Sequence, residues 1–204
     1  MKLHWSPRSP YVRKVMVCAH EVGLADRIET VRSLVVMTQP HEALMRENPL
    51  SKIPTLVTDS GEILYDSITI CEYLDHLSGR PRLFPPPGPE RWTTMRRHAL
   101  GNGFLDLLIF FRDERNRPDG ARSQPHIDAY GIKARATLDA LEREADALAQ
   151  APVSIGTLTI AIALGYLDFR FGDLNWRAGR PRLAAFEKTY VARPSLSATL
   201  AREG

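Results

Sequence analysis

Three short stretches hold residue types that chemistry can use. In "SPRSPYVRKV", Ser6 to Val15, Ser9 stands directly before Pro10 and ahead of a run with helical apolar spacing. Serine is favoured just before a helix and proline at its first turn, so Ser9 reads as an N-cap with its hydroxyl at the positive end of the helix. A hydroxyl in that position suits an anion supplied by another molecule. Ser6 is the rival donor, though it is not next to the helix proline. In "NPLSKIPTL", Asn48 to Leu56, Pro54 opens a strand-like run, where its missing N–H costs no ladder bond. In "YDSITICEYLD", Tyr65 to Asp75, Asp66 and Ser67 stand where a strand gives way to a helix. Both are favoured caps, and a helix start of this kind also receives carboxylates.

Other chemistries lack their residues. There is no Gly-rich phosphate loop, no Gly-x-Ser-x-Gly elbow and no metal-ligand spacing. Cys18 and Cys71 are too few for a disulfide framework, and both fall in apolar-periodic stretches where a buried, inert thiol is expected. The formal net charge of +3 is uneven: through Ser78 there are eight Lys plus Arg against ten Asp plus Glu, and beyond it 19 against 14. The basic residues are interleaved with acids, as in "RDERNR" and "LEREAD", so a solvated helical surface is expected and no nucleic-acid partner. The most apolar segment, "VSIGTLTIAIALGYLDF", falls short of the roughly 20 residues of a membrane span and reads as a buried helix. The start, Met-Lys-Leu-His-Trp, lacks the apolar core of a secretory signal, so a cytoplasmic protein is expected.

The elements that must position these residues follow from the pattern. Leu3 and Trp5 share one face of a first strand. Pro10 to Val22 is a helix with Val12, Val15, Met16, Ala19 and Val22 at helical spacing, closed by Gly23. "RIETVRSLV" is a second strand, a short helix falls around Glu42 to Arg46, and "TLVTDSGEILYDS" is two strands joined around Asp59, Ser60 and Gly61. Ile68, Cys71, Leu74 and Leu77 mark the apolar stripe of a further helix. The order βαβαββα, with a parallel pair at its start and a hairpin at its end, is the thioredoxin-like order.

"SGRPRLFPPPGPE", Ser78 to Glu90, gathers five of the 15 prolines with two glycines and reads as a linker. Beyond it only helical signals remain: Glu90 to about Arg115, bent near Gly101 and Gly103; Ile127 to Leu148, with Ile127, Ile132, Leu138, Leu141, Ala145 and Leu148 inward; a central apolar helix from about Gly156 to Phe171; then Arg182 to Ala192 and Leu196 to Arg202. The fold class is a two-domain α+β/α architecture. A thioredoxin-like domain over residues 1–78 is followed by a linker over 79–89 and an all-helical bundle domain over 90–204.

This combination resembles the cytosolic glutathione S-transferase family, in particular bacterial members of unassigned class. The resemblance is carried by "SPYVRKV", "NPLSKIPTL", "YDSITICEYLD" and "TIAIALGYLDFR", which span both domains in the family's order. It implies a cis Ile53–Pro54 peptide whose Ile53 backbone groups pair with the cysteinyl unit of glutathione. It implies that Asp66, shorter than the family's usual glutamate, takes the γ-glutamyl ammonium, and that Ser67 takes the α-carboxylate. Lys52 and Gln39 are the candidates for the glycyl carboxylate, with His41 competing with Gln39. Glutathione is expected as cosubstrate without a metal or other cofactor, together with a homodimer and a detoxification role. The electrophile pocket is expected to draw on Phe104, Leu107, Leu108 and Phe111, with Arg112 for an acidic group and Trp176 as a further wall. The family's capping box on the central helix is absent at Gly156 and Thr159, with Ser154 the available cap.

Thioredoxin and glutaredoxin relatives carry Cys-Pro-Tyr-Cys where this chain has Ser9-Pro10-Tyr11-Val12. A hydroxyl cannot replace a thiolate in disulfide exchange, so thiol reduction is disfavoured. Half-ionising a bound thiol of pKa near 8.5 at pH 7 needs about 2 kcal/mol. One charge-assisted hydrogen bond supplies about 1.5–3 kcal/mol and a helix terminus about 0.3–1 more. A single serine hydroxyl on a helix start therefore suffices, and Ser9 is expected to donate to the glutathione thiolate. The competing functions are a non-catalytic binding or regulatory module of the same fold and a glutathione-dependent isomerase. The isomerase reading is lowered because "SPRSPYV" lacks that class's second serine and cysteine.

Overall fold

The structure, a computed structural model, describes residues 1–79 and 83–203. Arg80, Pro81 and Arg82 of the expected linker lie outside the described residues. The chain divides into two compact units, Met1–Gly88 with Arg193–Gly204, and Pro89–Ala192.

In the first unit β1 (Lys2–Trp5) runs into α1 (Pro10–Glu21), which returns the chain to β2 (Glu29–Arg32) parallel to β1. A short α2 (Glu42–Met45) precedes β3 (Thr55–Val57) and β4 (Ile63–Leu64), and α3 (Ser67–Leu77) follows. The sheet order is β2-β1-β3-β4, with β3 antiparallel to both its neighbours. The β-helix-β start and the closing hairpin were thus both legible. The core beneath the sheet is built from Leu3, Val12, Val15, Cys18, Ala19, Leu56, Ile70, Cys71 and Leu74, all at most 1% exposed. Both cysteines are free and fully buried, as expected of inert thiols. The Cys71 neighbour, by hydrogen bonding, and then burial push the Cys18 thiol up, further from the reactive thiolate.

Two expected stripes shift by a residue or two. On α1, Met16 is half-buried and Val17 is fully buried, because Met16 lies on the face away from the core, toward the C-terminal segment. On α3, Ile70 replaces Ile68 in the core. Within the linker, Leu83 and Phe84 are held in place. Leu83 and Phe84 are buried, and their backbone N–H groups donate to the buried Asp75 carboxylate at 3.1 and 3.2 Å.

The second unit is a bundle of α4 (Pro89–Arg115), α5 (Gln124–Gln150), α6 (Ile155–Arg170) and α7 (Pro181–Val191). The helix α6 is buried almost all round, as its composition required. Its Ser154 accepts from Thr157 N–H and the Thr157 hydroxyl accepts from Ser154 N–H, so a capping box exists after all, built two residues earlier than the family pattern. Ile132, expected inward on α5, is 60% exposed, and Ala134 takes its place, four residues before Leu138 on the same face. Gly101 marks a close crossing. A Cβ there would sit 3.0 Å from the backbone of Thr159 and Ile160, and one on Gly156 would sit 2.5 Å from Thr94 O. Bare helix backbone at these points lets α4 and α6 pack closely.

The segment after α7 departs from the expected Leu196–Arg202 helix. A short α8 (Pro194–Ser197) is followed by a non-helical tail, which belongs to the first unit. Two contacts fix this: the Glu21 carboxylate of α1 accepts from Arg193 at 2.9 and 3.0 Å and from Ser195 Oγ at 2.6 Å, and Arg202 N–H donates to Pro7 O at 3.3 Å.

Gly156→Ala is expected to cost about 1–3 kcal/mol of stability by forcing α4 and α6 apart. Gly103→Ala, on α4 with nothing within 4 Å of the added methyl, is expected to be neutral or to gain up to about 1 kcal/mol. Chemical denaturation of both variants checks the contrast. A second prediction concerns His4, which is buried between Ser33 Oγ at 2.7 Å and Glu47 Oε2 at 2.7 Å, with Lys2 Nζ on the other Glu47 oxygen at 2.6 Å. Burial raises the Glu47 pKa, but the bonds from Lys2 and His4 outweigh it and the net shift is downward. A folded pKa below the unfolded one means a contribution present above the usual carboxylate range and lost as pH falls through the lowered value. The stability gap between the wild type and Glu47→Gln is therefore expected to be wide at neutral pH and to close in acid.

Candidate functional site

The register of the sheet brings the three chemistry-bearing stretches to one edge. β1 ends at Trp5, and Ser9 follows at the start of α1. Because β3 is antiparallel to β1, with His4 opposite Thr55, the residues entering β3 lie beside those leaving β1. Extending that register one step sets Pro54 opposite Trp5. β4 is antiparallel to β3, with Leu56 opposite Leu64, so Tyr65 and Asp66 leave the sheet at the same edge before α3 begins. Ser9, Ile53–Pro54 and Asp66–Ser67 therefore converge by topology alone.

Each is set locally. Ser9 has an extended backbone, φ −80° and ψ 118°, and its Oγ accepts from Val12 N–H at 3.3 Å, with Pro10 at the first helical position. That is the cap expected from sequence. It engages the serine oxygen as acceptor and leaves the hydroxyl proton available to donate, so capping and anion binding are compatible roles for one hydroxyl. Ser6 is buried and not a cap; its Oγ accepts from Arg8 N–H at 3.4 Å.

The Ile53–Pro54 peptide is cis, as the resemblance implied. The loop before it is held by Asn48, which is 1% exposed. Asn48 Nδ2 donates to Lys52 O at 3.2 Å and to Thr55 Oγ1 at 2.9 Å, and the Thr55 hydroxyl donates to the same Lys52 carbonyl at 2.9 Å. Two side chains thus clamp the carbonyl immediately before Ile53. Asn48 was quoted within its motif but given no part; its place six residues before Pro54, ahead of a turn, was the available signal. On the other rim, Asp66 Oδ1 accepts from Ile68 N–H at 3.1 Å as the α3 cap, and Ser67 is buried at the first turn. The Tyr65–Asp66 peptide is also cis.

The candidates for a third carboxylate site differ in freedom. Lys52 and Gln39 are exposed. His41 is the cap of α2: its Nδ1 accepts from Leu44 N–H at 3.1 Å and its backbone N–H donates to Ser51 Oγ at 2.9 Å. The α4 residues named for an electrophile pocket share one buried face of that helix. Phe104, Leu108 and Phe111 are at most 4% exposed, and Phe111 stacks at 5.2 Å on Phe171. Arg112 is committed within the bundle to Asp113 and to the Tyr166 hydroxyl at 3.0 Å. Trp176 is buried with its indole N–H on Asp168 at 2.9 Å. Among the described residues no His, Cys, Asp and Glu group is placed to hold a metal, and no helix is long and apolar enough to cross a membrane.

Comparison with known proteins agrees with this arrangement. A family model described as "Glutathione S-transferase, N-terminal domain" matches residues 8–77. The uncharacterized GST-like protein YibF of Escherichia coli K12 is 31% identical over 204 residues, covering 98% of both chains. A glutathione transferase family member from Pseudomonas fluorescens Pf-5, solved with bound glutathione, is 39% identical with a TM-score of 0.95 over 99% of each chain. A second structure described in the same words, solved with S-(propanoic acid)-glutathione, is 38% identical with a TM-score of 0.90 over the whole of both chains. With identity at this level over nearly the full length, and with the fold and site edge described above, the chain belongs to the glutathione S-transferase family.

Proposed function

We propose that the protein is a glutathione transferase in which the Ser9 hydroxyl donates a hydrogen bond to the thiolate of bound glutathione. The reading rests on one observation above all, the convergence of Ser9, Ile53–Pro54 and Asp66–Ser67 on a single sheet edge. Ile53 pairs through its backbone with the cysteinyl unit, Asp66 takes the γ-glutamyl ammonium, and Ser67 with the first amides of α3 takes the α-carboxylate. Lys52 and Gln39 lie toward the glycyl carboxylate. His41 already spends one ring nitrogen on the α2 cap, which favours Gln39 over it.

The chemistry divides between the chain and its cosubstrate. The thiol loses its proton to solvent, and the thiolate is held by Ser9 Oγ–H and by the amides opening α1. The sulfur then attacks a small hydrophobic electrophile, forming a carbon–sulfur bond as the leaving group departs or the activated double bond takes up a proton. The S-(propanoic acid)-glutathione held by the relative is a conjugate of this kind and supports conjugation as the reaction class. Phe104, Leu108, Phe111 and Arg112 are carried forward as the electrophile-facing set. A homodimer and a cytoplasmic detoxification role complete the proposal.

Titration calorimetry with glutathione tests the binding step, and no heat at millimolar ligand contradicts the proposal. Ser9→Ala is expected to keep glutathione affinity within a few-fold while lowering turnover of an aryl halide about 10- to 100-fold at pH 7, the equivalent of one charge-assisted hydrogen bond. Its pH–rate profile is expected to move to higher pH, because losing the donor raises the pKa of the bound thiol toward its free value near 8.5. An unchanged profile in the variant contradicts the role given to Ser9.

A further inference from the structure

A cleft of about 630 Å³ lies wholly within the first unit, between α1 and the C-terminal tail. The α1 cap Ser9 and the α1 residues Arg13, Met16 and His20 line it, at spacings of four, three and four that define one helix face. The opposite face carries Val12, Val15 and Ala19 into the core. The end of β1 and the loop after it contribute Trp5, Ser6 and Pro7, and the tail from Ser197 to Arg202 closes the other side. The tail is tied across the opening by an Arg8–Glu203 ion pair at 3.1 Å and by Arg202 N–H on Pro7 O.

Arg13 is out of place in this setting. It is only 6% exposed, its Nη2 donates to Leu196 O at 3.2 Å, and its Nε is buried without a hydrogen-bond partner. Among the described residues no carboxylate pairs with it. Glu21, the acid on the same helix, is spent on Arg193 and Ser195. Burial lowers the Arg13 pKa to about 10, which still leaves it charged at neutral pH. Buried guanidinium groups ordinarily face an anion, and none of the residues lining this cleft is acidic.

We propose that the cleft binds a small amphipathic carboxylate, its oxygens on the Arg13 guanidinium and its apolar body against Trp5, Pro7, Met16 and Leu200. The chemistry of the lining selects that class. One buried cation balances one negative charge, and Leu196 O already occupies part of the guanidinium, so a planar monoanion fits better than a phosphate dianion. The apolar walls require an organic body, and the volume lies in the range of small-molecule sites. The Ser6 hydroxyl, which accepts from Arg8 N–H, adds a donor at the opening. The assignment concerns Arg13 and stands or falls separately from thiol activation by Ser9.

The test uses the full chain with 4-phenylbutyrate and its neutral isostere 4-phenylbutanamide. Calorimetry is expected to show the acid binding at least about tenfold more tightly than the amide, the difference made by one charge-assisted contact. Arg13→Met is expected to abolish that preference, and Arg13→Lys to retain part of it. Should Arg13→Met not fold, the Arg13 Nε–Hε resonance of the wild type supplies the readout and is expected to shift on titration with the acid and not with the amide. The titration is run with and without saturating glutathione. Equal binding in both arms marks a free acid ligand as the occupant, whereas binding only with glutathione marks the acidic end of the electrophile. Equal affinity for acid and amide, an unmoved Arg13 resonance, or undiminished acid binding by Arg13→Met overturns the proposal.

Discussion

A helix that begins at the edge of a sheet leaves its first N–H groups without helical partners, and this chain begins two helices, α1 and α3, at one edge. The rest of the first unit follows from how that electropositive edge is managed. Short polar residues, Ser9 and Asp66, each satisfy one amide, and the antiparallel entry of β3 sets the Ile53–Pro54 turn beside them. Helix starts of this kind suit a ligand with several carboxylates. A tripeptide with a thiol fits that description, and solved relatives of the chain hold glutathione.

The position of Ser9 also explains how a fold associated with redox cysteines dispenses with them. The two thiols the chain has are sealed in the core, out of reach of solvent, and the Cys18 thiol is pushed up by its Cys71 neighbour and by burial. The helix N-terminus that stabilises a thiolate in redox relatives is retained, with a hydroxyl in place of the sulfur. Because the cap draws on the serine oxygen only as an acceptor, the role proposed for the Ser9 hydroxyl is compatible with its structural one.

Much of this was legible in the sequence because it depends on local chemistry. Caps, proline positions and the alternation of strand and helix signals located the βαβαββα order, the bundle and the edge residues. What the sequence hid depends on tertiary contact. Nothing local to Gly101 records that α6 passes within a methyl's reach of it. Ile132 fell near enough to the helical stripe to be misplaced, since one apolar residue out of phase carries no label of its own. The non-helical tail after Ser197 is set by bonds to residues nearly two hundred positions away, which no local pattern records. Arg13 sat inside "YVRKV" as an ordinary polar residue of an amphipathic helix. Only its burial beneath that tail shows it as a cation lacking an anion.

The central claim is that one hydroxyl on a helix start ionises a thiol carried by the cosubstrate. Its most direct test is a titration of the thiol of bound glutathione, followed by thiolate ultraviolet absorbance, in the wild type and in Ser9→Ala. The account predicts an apparent pKa near or below 7 in the wild type and about one to two units higher in the variant. The same thiol pKa in both proteins would contradict it.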